Sequence, residues 1–439
     1  MELKFRFGLH VITTIISLFI QIKMIKHISL ARRWLRGLNV FLTPEKDAIL
    51  EKGKELRINY YQLNDRQIDD LHYSDQWHRM VIFLVTLIAN MIVHELHSFF
   101  RPQTTPDTSL FVVSVISLVI MILPILRILR DIGLIPIETR ISIILFFVAY
   151  IISFFVMEIP SKYLDVNVNE SFSKLEVWMD EILEKKGRKF EFSYTYIKFL
   201  ISAVCGLLTT VSLYPAINSN KLYQNEFKNE LKALRIKGIL MQTSILHSLL
   251  PLVTYFPQIW FYFFPYHDLQ FLSVNLRIVF LILSSFLSIL SLRNQTQFHL
   301  QRSFLYIKVA LENKWKSNED PLLKILMKRS ISINTFIITF ILNAACSPFI
   351  LLTFSLILKN QSGFTFNLPY LFFSSPSPPF DPSPLSNFLF SLFSFFCFWF
   401  LFSYSFLSIF YFYLQKIRDL PTISSKEKNS VNLKYLKKK

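Results

Sequence analysis

Residues 331–358 read ISINTFIITFILNAACSPFILLTFSLIL. Not one of these positions is Asp, Glu, Lys or Arg. A helix needs about 20 apolar residues to cross a hydrocarbon core of roughly 30 Å, so this run alone is long enough to span. Asn, Thr and Ser are scattered through it, and Pro348 falls in its second half. A helix keeps its backbone hydrogen bonds internal, which is what a bilayer interior demands.

Eight further apolar runs lie outward from this one, at 7–22, 81–100, 109–126, 141–159, 196–217, 239–264, 274–292 and 385–414. The composition agrees: 52% of the 439 residues are hydrophobic, 46 are Phe and 18% are charged. The expected fold is all-α, a polytopic integral membrane helix bundle of about nine transmembrane helices, with 1–439 as one multi-pass domain. The first run reads as an anchor rather than a signal peptide. No small-x-small cleavage site follows it, and Lys23, Lys26, Arg32, Arg33 and Arg36 do.

The net charge of +17 would suggest nucleic acid in a soluble chain, but no reader motif accompanies it, and nucleic acid is not an expected partner. The basic residues set topology instead. With the amino terminus outside, the cytosolic segments carry 35 Lys and Arg and the opposite ones 10. The expected layout is a basic cytosolic loop at 23–80, an outer loop at 160–195, cytosolic loops at 218–237 and 293–330, a Pro/Ser-rich outer loop at 359–384 and a basic cytosolic tail at 415–439. Such a face suits anionic lipid. The sequons at Asn169 and Asn360 fall outside and are candidate N-glycosylation sites, whereas Asn294 falls on the cytosolic side. Residues 172–186 place Phe172, Leu175, Trp178, Met179, Ile182 and Leu183 on one stripe. This helix either lies on the membrane surface or packs on the outer loops. Thr43-Pro44-Glu45 has the form of a helix start.

Charges inside spans are expensive. Four stand out: Glu95, Glu158, Lys198 and Arg277. At 1.5 Å per residue, all four fall in one layer near the outer interface. Two acids and two bases there can pair and lock the helices, or form an ion or proton site with Glu95 as its deepest acid. In the second span, Thr86, Asn90, His94 and His97 recur at helical spacing as a polar stripe that should face the bundle. His94-Glu95-Leu96-His97 is not a zincin motif, because that motif needs two His four apart. No metal and no cofactor are expected. Cys205, Cys346 and Cys397 fall in apolar runs without ligand spacing. Only Gly8 and Gly206 lie in spans, and no GxxxG pair occurs. Nucleotide and acyl-transfer signatures are absent, so the chain is not expected to be an enzyme.

Several short motifs, in order, resemble the transmembrane protein 161 family. They are His27-Ile28-Ser29-Leu30-Ala31-Arg32 after the first span, Gln76-Trp77 before the second, Glu95 late in it and Glu158 ending the fourth. Lys198-Phe199, Cys205 and Tyr214-Pro215 mark the fifth span, and Leu246-His247 with Pro251-Leu252 the sixth. Leu276-Arg277, His299-Leu300-Gln301, Pro348 and Ile357-Leu358-Lys359 complete the series. The sequence departs at Asn218, where the family carries a basic residue. The resemblance implies a multi-pass membrane glycoprotein without enzymatic activity that regulates potassium and calcium currents. It also implies links to membrane excitability, cardiac rhythm, brain development and oxidative-stress protection. Ion channels or other membrane proteins are then the expected partners, beside the lipid bilayer. The alternative is an ion- or proton-coupled transporter or channel using the Glu95 cluster. A third reading is a membrane enzyme with its site on the polar stripe of the second span.

Overall fold

The computed structural model describes residues 2–25, 29–41, 60–100, 107–132, 136–185, 193–228, 248–259, 269–312, 331, 334, 336–362 and 383–419. The described part is a helical bundle. In chain order it holds α1 (Glu2–Ile25), α2 (Leu30–Leu35), β1 (Asn39–Phe41), β2 (Tyr60–Gln62), α3 (Asp65–Asp69), α4 (Ser74–Phe100) and α5 (Thr108–Ile132). There follow α6 (Pro136–Val156), α7 (Val168–Glu184), α8 (Tyr194–Lys228), α9 (Leu269–Glu312), α10 (Ile337–Ser362) and α11 (Pro384–Asp419). Among the described residues, five helical stretches are long and apolar enough to cross a membrane: Ser74–His97, Tyr194–Ile217, Ser273–Gln301, Ile337–Ser362 and Pro384–Tyr411. Three shorter apolar helices, Leu9–Lys23, Thr108–Pro124 and Arg140–Val156, accompany them. Most of the 239–264 run, the Thr43-Pro44-Glu45 helix start and the Pro/Ser-rich stretch at 363–382 lie outside the described residues.

The run that decides the fold becomes the centre of the bundle. Helix α10 packs against α4, α5, α8, α9 and α11, and 94% of its most apolar window is buried. Its polar residues Thr339, Asn343, Ser347, Thr353 and Ser355 are all buried. Peripheral helices show the opposite pattern. Along α1, Ile12, Ile15, Ile16, Phe19 and Ile22 are exposed, and along α6, Ile144, Phe147, Ile151 and Phe155 are exposed. A run of large apolar side chains facing outward is what a lipid-facing helix presents and what a water-facing helix avoids.

Helices α8 and α9 do not stop where their apolar runs stop. α9 is 44 residues long, about 66 Å at helical rise, and extends well past residue 292. α8 reaches Lys228. Segments expected as loops at 218–237 and 293–330 therefore begin as helix, and α8 runs on through Pro215 at the end of its apolar run. At that end of α9, β1 docks on it. Asn39 N–H donates to Gln297 Oε1 at 2.9 Å, and Arg293 donates to the carbonyls of Arg33 and Arg36. β1 pairs with β2 antiparallel, Val40 opposite Tyr61. Gly37 has φ +76° between α2 and β1, a left-handed conformation that glycine adopts without steric cost.

Helix α7 packs on α11. Its stripe turns inward: Phe172 and Leu175 are buried, and Trp178 and Met179 lie against the same core. Ser171 and Ser391 hydroxyls meet at 2.7 Å.

Candidate functional site

Polar groups concentrate where α1, α4 and α5 meet the end of α10. The stripe on α4 faces a matching stripe on α1, whose His10, Thr14, Ser17 and Gln21 recur every three or four residues. The Gln21 amide and the Ser17 hydroxyl each donate to Thr86 Oγ1, at 3.1 and 3.3 Å. Asn90 Nδ2 donates to Thr14 Oγ1 at 3.0 Å, and His10 Nδ1 meets Asn90 Oδ1 at 3.1 Å. Hydrogen bonds between membrane helices contribute about 0.6 kcal/mol each, so four of them specify register more than they add stability. Thr86, Asn90 and His94 are buried, while His97 is half-buried.

His10 also connects to α5. Its Nε2 lies 3.3 Å from Asp107 Oδ2, and the His94 ring is 5.7 Å from the His10 ring, centroid to centroid. Asp107 stands immediately before α5 and caps it. Its Oδ1 accepts from Ser109 N–H at 2.9 Å, Ser109 Oγ at 2.6 Å and Leu110 N–H at 3.3 Å. Burial alone raises the Asp107 carboxyl, but the His10 and Ser109 hydrogen bonds outweigh it and hold the group well below the usual carboxylate range. Asn360, at the end of α10, accepts from Asp107 N–H at 2.9 Å and donates to Asp107 C=O at 2.7 Å.

The four intramembrane charges do not close into a single cluster. They belong to three separate ion pairs, two of which use partners from outside that set. Glu158 pairs with Lys198, whose ammonium also lies over the Phe154 ring at 3.9 Å. Glu95 pairs with Lys359 of α10. Arg277 donates to Asp165 Oδ2 at 2.6 Å and to Ser394 Oγ at 3.0 Å, and its guanidinium lies 3.8 Å from the Tyr255 ring centre. Arg277 and Lys359 are almost wholly buried. A buried cation without its anion would cost several kcal/mol, and each of these has one. Linking contacts run Glu158–Lys198, Tyr194–Phe172, Phe172–Phe388 and Arg277–Ser394, and Ser386–Gln361, Asn360–Asp107 and Asp107–His10 carry the series from the start of α11 to the end of α10 and to His10. They place all three pairs at the end of the bundle that holds His10.

The two sequons differ. Asn169 is exposed on the first turn of α7. Asn360 is buried at 2% and commits both its amide atoms to Asp107, so in this fold it presents no free amide for a glycan. Cys205, Cys346 and Cys397 are buried free thiols.

Sequence reasoning missed His10, Asp107, Asp165 and Lys359. Asp107-Thr108-Ser109 ahead of an apolar run is a helix-cap signature, and the spacing of His10, Thr14, Ser17 and Gln21 mirrors the stripe on α4. Both signals were present in the chain. No family model, no curated protein and no solved structure matches it.

Proposed function

We propose that this chain is a non-enzymatic, multi-pass integral membrane protein that acts by associating with other membrane proteins, ion channels among them, and so regulates potassium and calcium currents. The observation that carries this is the internal pairing of its buried charges. Glu95 with Lys359, Glu158 with Lys198 and Arg277 with Asp165 neutralise one another inside the bundle, and the helix through its centre is packed on all sides. Charges satisfied this way hold helices together, whereas a conducting path needs groups held open to a moving ion. The exposed apolar faces of α1 and α6 supply surface for lateral contact within a bilayer. The likeness to the transmembrane protein 161 family supplies the channel as partner.

In this reading about nine helices span. They are the five long ones, the three shorter apolar ones and the apolar run at 239–264. The amino terminus is outside, and the basic face meets cytosolic anionic lipid.

Whole-cell recording after depletion and re-expression of the chain tests the proposal. Potassium or calcium current density should change on depletion and return on re-expression. Currents indifferent to the chain's level would overturn it. One observation favours an ion- or proton-coupled transporter or channel instead: the Glu95 side chain keeps 26% exposure beside a buried Lys359, so part of this acidic side chain is open to the surface of the bundle.

A further inference from the structure

Asn90 fixes the tautomer of His10. Asn90 Nδ2 donates to the Thr86 carbonyl at 3.0 Å and to Thr14 Oγ1 at 3.0 Å. A carbonyl oxygen only accepts, so the amide has one orientation and its Oδ1 is the atom that faces His10 Nδ1. Nδ1 therefore carries a proton. The other ring nitrogen, Nε2, points at Asp107 Oδ2 from 3.3 Å. On the Asp107 side, Oδ1 is occupied by the three donors of the helix cap, and Oδ2 is the oxygen left for His10. Nε2 therefore either carries a second proton donated to Asp107 or turns its lone pair to a cation held between the two groups. Only a proton or a metal ion is small enough.

We propose that His10, His94 and Asp107 bind a first-row divalent transition-metal ion, of the zinc or iron(II) class, at the junction of α1, α4 and α5. One donor atom from each lies within 4.8 Å of the other two, and all three residues are buried. Bonds of about 2.0–2.2 Å from a tetrahedral ion to N and O ligands put neighbouring ligand atoms about 3.4 Å apart. The His10–Asp107 edge already has that length, and the His94 edges, none longer than 4.8 Å, close to it by a shift of at most about 1.4 Å.

Three features around the site fit an ion. The Nδ1–H of His10 is bonded to a fixed amide oxygen, the outer-shell arrangement that orients a metal-ligating imidazole and raises its basicity. Asp107 is held in place by its cap bonds and by Asn360, so its free oxygen is aimed before any ion arrives. The nearby charges also leave room for a cation. With both imidazoles neutral, Asp107 and Glu95 stand against Lys359 among the described residues, a net of one negative charge, and unbalanced buried charge is costly. Two His and one carboxylate leave a coordination position open, as in sites that hold water or a small anion on the metal. A hydroxide there would bring a divalent ion to the single positive charge the site lacks. Bound this way, the ion would tie the first helix of the chain to α4 and α5 at the end where their polar stripe begins.

Zinc is the probe. The full chain, purified in mild detergent, is loaded with zinc, passed over a chelating resin and measured for metal by mass spectrometry. The cobalt(II)-loaded protein is read by its visible absorption. Asp107→Asn is the decisive variant, because Asn caps a helix as well as Asp does but supplies no anionic ligand. His10→Gln is the second, should Asp107→Asn not fold, and Glu158→Gln is the control. The wild type and Glu158→Gln should hold about one zinc per chain, show a tetrahedral cobalt band and lose thermal stability on chelation. Asp107→Asn and His10→Gln should do none of these. Folded wild type that holds no zinc and whose melting ignores added zinc would overturn the proposal, leaving a proton between the two groups. Equal zinc in wild type and in the folded variants would overturn it too.

Discussion

Asn360 grips the backbone of Asp107 at two points: Nδ2 donates to the carbonyl at 2.7 Å, and Oδ1 accepts the N–H at 2.9 Å. The pair joins the end of the central helix to the start of α5 across 253 residues of chain. Truncation to Ala would strand two buried backbone groups, at about 1–3 kcal/mol each. Asn360→Ala should therefore lower the thermal midpoint of the detergent-solubilised protein by several degrees. If the amino terminus is outside, enzymatic deglycosylation should shift the wild type and Asn360→Gln alike, and should not shift Asn169→Gln.

Glu95 and Lys359 form the pair nearest that contact. Lys359 is almost fully buried, while Glu95 is partly exposed. Glu95→Gln alone takes the carboxylate away from a buried ammonium and should cost about 3–5 kcal/mol. The double variant Glu95→Gln/Lys359→Met removes both charges and should recover most of that loss. A double-mutant cycle on folded yield and melting measures it. Strictly additive losses would show that the two groups do not interact.

Arg277 uses its fork. One guanidinium reaches Asp165 and Ser394 and stacks on Tyr255. An ammonium can serve one of these contacts well but cannot stack as a plane. Arg277→Lys should be destabilised by about 2 kcal/mol despite keeping the charge. A melting midpoint equal to wild type would mean that charge alone is used.

Gly206 lies where α8 packs closely on α6. A Cβ at this position would lie 2.8 Å from the Phe146 ring and 3.0 Å from the Phe146 carbonyl oxygen. A backbone oxygen cannot move aside without moving the helix. Gly206→Val should separate α6 from α8 and cost about 1–3 kcal/mol, read as increased protease nicking at the ends of α6. Unchanged proteolysis and melting would show that α6 packs elsewhere.

Much of this was legible in the chain. Apolar runs located the five long apolar helices and the three shorter ones among the described residues, and depth within those runs picked out Glu95, Glu158, Lys198 and Arg277. Their partners were harder to see for a physical reason. Lys359 directly follows an apolar run and Asp165 lies six residues past one, so neither carries the burial cost in sequence that flags a buried charge. Both become buried or half-buried only when α10 and α9 pack against their neighbours. The central position of α10 was hidden too. A helix surrounded by protein and one surrounded by lipid are both apolar all round, and only its dispersed Asn, Thr and Ser hinted at helical neighbours on every side. The continuation of α8 and α9 beyond their apolar runs was missed because hydropathy records where a membrane ends, not where a helix does.

The central claim is that the buried charges seal the bundle and that the protein works through partners. The most direct measurement is ion flux in liposomes holding only the purified chain, with Glu95→Gln beside it and folding verified for both by melting. The account predicts no potassium, calcium or proton flux above empty vesicles from either protein. Flux from the wild type that Glu95→Gln abolishes would contradict it and make the chain a transporter or channel in its own right.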